Sequence, residues 1–117
     1  MEPSQSLLNH FEAECRSLRE QGFSIFGLHQ DSIVLAVTDD TERDFGYSVS
    51  EMLGMNAWRL FDVASFSEIT KHLSRKQNSD YQAVAVSKSG QRISIFMHIL
   101  QLALGDESVR LVAYKLV

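Results

Sequence analysis

Residues 33–61 constrain the fold more than any other part of this 117-residue chain. An apolar run over residues 33–37 leads into an acidic turn, and two short helical segments then end at Gly46 and Gly54. Glycine readily adopts the left-handed conformation in which many helices end, so each of these glycines predicts a helix C-terminus. The segment therefore predicts a strand, a turn and two short helices, in that order.

Two capping boxes support these short helices. Ser48 precedes the second helix and Glu51 follows three residues later, which is the spacing of a reciprocal cap. Asp39 and Glu42 have the same spacing before the first helix, where Thr38 is a second candidate for the cap. We therefore expect both helices to begin at these caps.

The rest of the chain predicts one long helix, another of medium length and four further strands. We expect helices over residues 4–21 and from Ser65 or Ser67 to Arg75, with one helical turn over residues 57–61. The strands are predicted over residues 23–28, 32–37, 81–87, 92–102 and 108–117, with turns at residues 29–31, 77–80, 89–90 and 105–106. Residues 32–37 are almost continuously apolar, which predicts a central strand covered on both faces. Two strands, then helices, then three strands predict an α+β fold with an antiparallel sheet.

The predicted N-terminal helix carries one apolar stripe. Its members are spaced three, four and three residues apart: Leu8, Phe11, Cys15 and Leu18. This spacing fits a helix packed on its own domain, and it also fits a seam between two chains. We expect the helix to pack on the sheet and to contribute these four residues to a dimer interface.

The predicted strand over residues 92–102 is apolar on both faces. One parity carries Ile93, Ile95, Met97 and Ile99, and the other carries Phe96, His98, Leu100 and Leu102. A sheet with one face in water would alternate apolar and polar residues instead. We therefore expect cover on both faces, from the helices on one side and from the N-terminal helix, a partner subunit or both on the other. This pattern is the main sequence argument for a homodimer.

Composition and missing motifs restrict the possible functions. The net charge of −4 and the absence of a basic stripe argue against direct binding of nucleic acid. The sequence has one cysteine, no apolar run long enough for a membrane helix and no secretory signal, so we expect a cytoplasmic location. The four histidines have no metal-ligand spacing, and no nucleotide-binding or hydrolase motif occurs. We therefore expect neither a metal site nor an enzyme.

The motif that ends both short helices resembles that of PAS domains, small α/β sensor domains of signalling proteins. The family pattern F-G-Y-S-x-x-E-x-L-G-x-N is in register with Phe45, Gly46, Tyr47, Ser48, Glu51, Leu53, Gly54 and Asn56. The sequence KSGQRI at residues 88–93 resembles the family's K-D-G-S-R-I turn, while Thr38 stands where the family often has Asn. The resemblance covers residues 22–117, and we assign residues 1–21 to a cap or dimerisation helix. It implies a five-stranded antiparallel sheet with short helices on one face.

The resemblance implies a sensory function. PAS domains commonly bind a small ligand or a partner, dimerise and regulate an attached histidine kinase, diguanylate cyclase or phosphodiesterase, or transcription regulator. In longer relatives a linker to the output domain follows about where this sequence stops, so we expect a segment of a longer protein. The alternatives are a ligand-free interaction and dimerisation domain and, as a third reading, a small enzyme on an α+β scaffold.

A ligand pocket of this kind would lie between sheet and helices. Its candidate residues are Val34, Ala36, Phe45, Leu53, Trp58, Phe61, Ile69, His72, Leu73, Phe96, His98 and Tyr114. Each of these residues also fits a role in a packed core without a ligand, and His98 in particular fits a core histidine bonded to backbone.

The family's known cofactors leave two alternatives open. Ala57 stands where light-oxygen-voltage domains carry a reactive cysteine, which excludes the cysteinyl-flavin adduct. Non-covalent flavin stacked on Trp58 and haem bound by His72 remain open, although a core tryptophan is the commoner explanation for Trp58 and His72 fits a position facing water equally well.

Overall fold

The computed structural model of the chain describes residues 3–75, 78–104 and 107–117, with Leu104 and Glu107 described by their backbone only. Gln77 of one predicted turn and the predicted turn at Gly105 and Asp106 lie outside these residues. The helices are α1 (Gln5–Glu20), α2 (Asp40–Phe45), α3 (Val49–Met52) and α4 (Phe66–Arg75), with 3-10 helices at Ala57–Leu60 and Val63–Ser65. The strands are β1 (Ser24–Gln30), β2 (Ile33–Val37), β3 (Ser79–Val86), β4 (Arg92–Leu104) and β5 (Glu107–Leu116).

The strands form one five-stranded sheet in the order β2-β1-β5-β4-β3. Every neighbouring pair is antiparallel. The prediction of an α+β fold with a five-stranded antiparallel sheet, short helices on one face and an N-terminal helix is therefore confirmed. Most predicted elements match the observed ones to within two residues, but Ser79 and Asp80 belong to β3 rather than to a turn.

The prediction that residues 32–37 form a central strand is wrong. Strand β2 lies at one edge of the sheet, and its Ile33 is 41% exposed. The outer edge of β2 is paired with the loop before the first 3-10 helix. Val34 N–H donates to the Met55 carbonyl, and the Val34 carbonyl accepts from Gly54 N–H. Because a loop takes the place of a neighbouring strand, Val34 is buried although β2 lies at the edge of the sheet.

One of the two predicted capping boxes is present. The Ser48 side chain accepts from the Glu51 backbone, and the Glu51 carboxylate accepts from Ser48 N–H. Asp39 has helical backbone angles and makes no side-chain cap, so the predicted box of Asp39 and Glu42 is wrong. The Thr38 hydroxyl accepts from Asp40 N–H instead. The same hydroxyl donates to the Ile25 carbonyl and so ties α2 to β1.

The sheet separates two apolar layers. The layer between the sheet and the short helices contains Phe26, Phe45, Met52, Ile69, Met97 and Tyr114, among others. The layer between the opposite face and α1 contains Leu7, Phe11, Cys15 and Leu18 of the helix with Ile25, Leu28, Leu102, Val109, Leu111 and Ala113 of the sheet. The predicted packing of α1 on the sheet is confirmed, but Leu7 is buried where Leu8 was expected. The observed spacing of four, four and three residues is that of a helix lying on a broad surface.

Gly27 fixes the path of β1 across the sheet. Its φ angle is +144°, and a Cβ atom at this position would lie 2.1 Å from the Ala36 carbonyl oxygen of β2. The pairing of β1 with β5 shifts register between Ile25 and Gly27. This irregularity requires glycine, and it lies at the wall of the cavity described next.

Candidate functional site

A cavity lies between the sheet and the helical layer. Strands β1 to β5 form its floor, and α3, α4 and the first 3-10 helix cover it. It leaves about 60 Å³ of space. Its apolar wall consists of Phe26, Leu28, Val34, Met52, Ala57, Trp58, Leu60, Phe61, Ile69, Leu73, Met97, Ile99 and Val112.

Polar side chains collect at one end of this cavity. His29 of β1 and Arg110 of β5 are paired neighbours in the sheet, and both line the cavity. Ser79 of β3 lies on the same face of the sheet. It is paired with Ile99 of β4, which in turn is paired with Val112 of β5, two residues along the strand from Arg110. His72 of α4 closes the end from above, and its ring stacks on Tyr81 at 3.9 Å. Strands and helix thus bring polar groups from distant parts of the chain to one corner.

Three polar atoms in this corner are buried without a hydrogen-bond partner among the described residues. They are Nδ1 of His29, Nδ1 of His72 and Oγ of Ser79. Buried polar atoms are nearly always hydrogen-bonded, because an unpaired one loses its contact with water and gains nothing in return. Such atoms around one cavity are suited to an occupant with polar groups of its own.

The two histidines differ in their surroundings and in their partners. Burial, together with the nearby Arg110 charge, lowers the pKa of His29 to about 4, so this ring is neutral at pH 7. His72 Nε2 lies 3.1 Å from a carboxylate oxygen of Glu68, one turn earlier in α4. A carboxylate only accepts, so Nε2 of His72 carries a proton, and in the neutral ring Nδ1 is an acceptor.

Arg110 joins the sheet to the last turn of α4. Its guanidinium donates to the Leu73 carbonyl, one of the four carbonyls that a helix leaves free at its C-terminal end. The Gln101 side-chain oxygen, in the orientation that satisfies both residues, accepts from Arg110 as well. Within the described residues no carboxylate lies within 4 Å of this guanidinium. Burial lowers the pKa of Arg110, which nonetheless stays charged at neutral pH.

The structure brings together part of the predicted pocket. Val34, Trp58, Phe61, Ile69, His72 and Leu73 line the cavity. Phe45 and Tyr114 belong to the same apolar layer but do not line it. The Tyr114 hydroxyl donates to a carboxylate oxygen of Asp44 at 2.6 Å, so this residue fastens α2 to the sheet.

Four predicted pocket residues lie elsewhere. Ala36 packs in the layer under α1, and Leu53 is 48% exposed at the end of α3. Phe96 and His98 face the opposite side of the sheet, where both stack on Phe23. Because residues of alternate parity on a strand point to opposite faces, the apolar character of Phe96 alone does not identify its face.

Sequence reasoning missed the residues of the polar corner other than His72. Arg110 lies on the same face of its strand as Val112 and Tyr114. A single cation among the apolar residues of that face is the sequence signal that could have identified it. Ser79 and His29 both fall in predicted turns, where strand parity assigns no face of the sheet. The sequence predicts Tyr81 only as the first residue of a strand. In the structure, burial raises the pKa of its hydroxyl to about 12.

The predicted dimer residues are mostly covered by their own chain. Phe11, Cys15 and Leu18 are buried between α1 and the sheet, whereas Leu8 is partly exposed. The outer face beyond α1 carries a second apolar area at Phe23, Phe96 and Val84, none of which is fully buried. Lys115 Nζ lies 4.4 Å from the centre of the Phe23 ring.

Flavin and haem do not fit the cavity in this conformation. A space of about 60 Å³ is small beside the ~150 Å³ of an engineered cavity that holds benzene. Trp58 packs edge-on against Phe66 at 4.8 Å, and the His72 ring is held between Glu68 and Tyr81. Among the described residues no three Cys, His, Asp or Glu side chains converge as a metal site.

The fold matches that of known PAS domains. A PAS domain from a two-component sensor histidine kinase superposes with a TM-score of 0.72 over 97% of this chain and 100% of that chain, at 22% identity. A PAS domain from the fruit-fly ELK potassium channel gives 0.73 over 94% and 96%, at 16% identity. A light-oxygen-voltage domain studied with a flavin analogue gives 0.74 over 90% and 84%, at 20% identity.

No protein-family model matches the sequence, and no curated protein does. The likeness of the solved structures therefore concerns the fold, and it confirms the PAS fold predicted from residues 45–56. No helix within the described ranges is long and apolar enough to cross a membrane.

Proposed function

We propose that this chain is the signal-input module of a larger regulatory system and that its cavity binds a small molecule. The observation that carries the proposal is the corner at His29, His72 and Ser79, where three buried polar atoms have no partner in the part of the chain that the structure describes. A domain without an occupant gains nothing from such atoms, because each lowers its stability. An occupant that pairs with them recovers this free energy on binding.

The response to binding passes through contacts that join α4 to the sheet. Arg110 on β5 holds the last turn of α4 through the Leu73 carbonyl, and His72 on α4 stacks on Tyr81 of β3. An occupant at this corner touches both the helix and the sheet, so its arrival changes how α4 lies on the sheet. A ligand shifts a conformational equilibrium only if it binds one state more tightly, so the proposal requires two positions of α4.

The output is a partner domain of the kind that PAS modules regulate. By analogy with the sensor-kinase domain that has the same fold, we infer a histidine kinase, a cyclic-dinucleotide enzyme or a transcription regulator as the output. The proposal includes no catalytic step in this chain. It places the module in the cytoplasm, where the thiol of Cys15 stays reduced; burial raises its pKa to about 11, which makes it unreactive.

Dimerisation belongs to the same proposal. The outer face of β3 and β4 beyond α1 presents Phe96, Val84 and the neighbouring Phe23, all partly exposed. Two copies that place these faces together would cover them. Dimerisation through the sheet would also bring the two copies of α1 close to each other, with Leu8 at their contact.

Binding is tested through the single tryptophan. Trp58 lines the cavity, and its indole N–H gives one resonance that is separate from all backbone signals. We expect this resonance to shift when isotope-labelled protein is titrated with fractions of a small-molecule cell extract. The variant Ser79→Val, which fills the polar corner, should abolish the shift, whereas Ser94→Val on the exposed face of β4 should keep it. An indole signal unmoved by every fraction would contradict the proposal.

A ligand-free interaction module is the second candidate. The small volume of the cavity and the partly exposed Phe23 and Phe96 surface favour it. In that case the signal would be the arrival of a protein partner on the sheet. The two candidates separate in the titration, because a partner protein on the outer face leaves the Trp58 environment unchanged.

A further inference from the structure

The chemistry of the polar corner restricts what the cavity binds, and the inference below rests on the function proposed above. Arg110 brings a positive charge to the edge of an apolar space. Its acceptors are the Leu73 carbonyl and the Gln101 amide, both neutral. No carboxylate of the described residues pairs with this partly buried cation, so an anion that reaches it gains a charge-assisted hydrogen bond.

Two further groups of the corner can donate to an occupant, and Nδ1 of the neutral His72 ring is an acceptor. Ser79 Oγ has no partner within the described ranges and can donate its proton to an oxygen of the occupant. The neutral ring of His29 adds a second uncharged donor when Nδ1 carries the proton. Arg110 presents several N–H groups in one plane, which matches the two oxygens of a carboxylate.

The rest of the cavity restricts the body of the ligand. Val34, Ile69, Met97, Ile99 and Val112 give it an apolar wall without further charges. The space of about 60 Å³ is less than half of the ~150 Å³ that holds benzene, so only a short carbon chain lies in it and the polar end of the ligand lies at its edge beside Arg110. The occupant is therefore short and apolar at one end and anionic at the other.

A groove on the surface leads to the same corner. His29, Ser32, Leu73 and Arg110 line both the groove and the cavity, so these residues form the wall between them. Asp31 lies in the groove but not in the cavity. A ligand entering from this side displaces the Arg110 contact with Leu73 and meets the guanidinium first.

We propose that the cavity binds a short-chain aliphatic carboxylate, with its carboxylate on Arg110 and Ser79 and its chain among the apolar residues. Arg110 is the residue that determines specificity for the anion. When the carboxylate accepts the hydrogen bond that the Arg110 guanidinium donates to the Leu73 carbonyl, the last turn of α4 loses its bond to β5. Ligand binding thereby loosens the helix that covers the cavity.

The test compares butyrate with butyramide, which has the same shape and no charge. Titration calorimetry and the Trp58 indole resonance measure both ligands on the wild-type chain and on Arg110→Gln. We expect butyrate to bind the wild type at least about tenfold more tightly than butyramide, as a charge-assisted hydrogen bond requires. In Arg110→Gln the ratio should fall to about one while butyramide binds as before. Arg16→Gln, an exposed change on α1, should leave the ratio intact.

Each other outcome has a defined meaning. Equal binding of butyrate and butyramide to the wild type would overturn the carboxylate assignment but leave a ligand-binding cavity in place. Butyrate binding that survives Arg110→Gln would overturn the role of Arg110. Loss of butyramide binding in Arg110→Gln would show damage to the cavity, and Arg110→Lys, which keeps the charge, would then be measured. A preference of Arg110→Lys for butyrate over butyramide would support the carboxylate assignment. Equal binding of the two ligands to Arg110→Lys would reject it. If neither ligand binds and no extract fraction moves the Trp58 signal, the proposed function itself fails.

Discussion

At the scale of single residues, the site is defined by polar atoms that the fold leaves unpaired. The hydroxyl of Ser79 is the simplest of them, since it is small, uncharged and buried on a strand. Its position follows from strand parity, which places it in the same row as Ile99 and Val112. Such a residue is selected against if the domain needs only stability.

Removing this hydroxyl should stabilise the empty protein. We expect Ser79→Ala to raise the free energy of unfolding by about 1 kcal/mol, because an unsatisfied buried group is lost. Chemical denaturation of ligand-free protein measures the change. Ser94→Ala, on the exposed side of β4, should change stability by less than about 0.5 kcal/mol. A destabilised Ser79→Ala would mean that the hydroxyl is satisfied in the folded state.

The neutral state of His29 predicts how the empty domain responds to acid. Its pKa falls from the usual 6.5 to about 4 on folding, so the unfolded chain binds the proton more readily. Its contribution to stability is therefore full above pH 6.5 and is lost as the pH falls toward 4, by up to about 3 kcal/mol. His29→Gln should flatten the dependence of the unfolding free energy on pH in this window. His10→Gln, on the exposed side of α1, serves as the control and should retain the wild-type slope.

At the scale of elements, the fold was predictable where short-range chemistry decides it. The Ser48 and Glu51 cap and Gly46 fix α2 and α3, and the resemblance rests on these same residues. The order of strands in the sheet was not predictable from the apolar content of residues 33–37. Strand β2 is an edge strand whose outer groups bond to the loop at Gly54 and Met55, and such a contact leaves no local signal.

The irregular passage of β1 past β2 predicts an unusually sensitive glycine. Gly27→Ala combines a positive φ with a Cβ atom at 2.1 Å from the Ala36 carbonyl oxygen. We expect a loss of about 3 kcal/mol or more, since strain and clash add. Gly54→Ala is the matched control, because its φ of +81° brings the strain while no described residue beyond its chain neighbours lies within 4 Å of the added Cβ atom. Its cost should stay near 1 to 2 kcal/mol, roughly. Equal losses for both variants in thermal unfolding would refute the close contact.

At the scale of the whole molecule, the two apolar layers differ in what they enclose. The layer under α1 is closely packed and takes up most of the stripe that the sequence assigned to a dimer. The layer under the short helices contains the cavity. Sequence patterns located both layers, since the parity of β4 predicted cover on each face. They could not locate the polar corner, because it forms only when β1, β3, β5 and α4 meet.

The proposed dimer depends on the outer face of the sheet. Phe96→Lys places a charge on this partly exposed area, and we expect it to convert dimers to monomers without unfolding the chain. Sedimentation measurements across a concentration series report the change. Val63→Lys alters a residue that is 74% exposed beside α4, and it should leave the association unchanged. Wild-type protein that is monomeric at every concentration would exclude this interface.

The most direct test of the account is native mass spectrometry of protein purified from cells without denaturation. We predict a bound small-molecule mass on the wild-type chain that disappears under denaturing conditions and is absent from Ser79→Val, while Ser94→Val retains it. Wild-type protein that carries no added mass, or an added mass that Ser79→Val retains, would contradict the claim that this cavity is the sensory site.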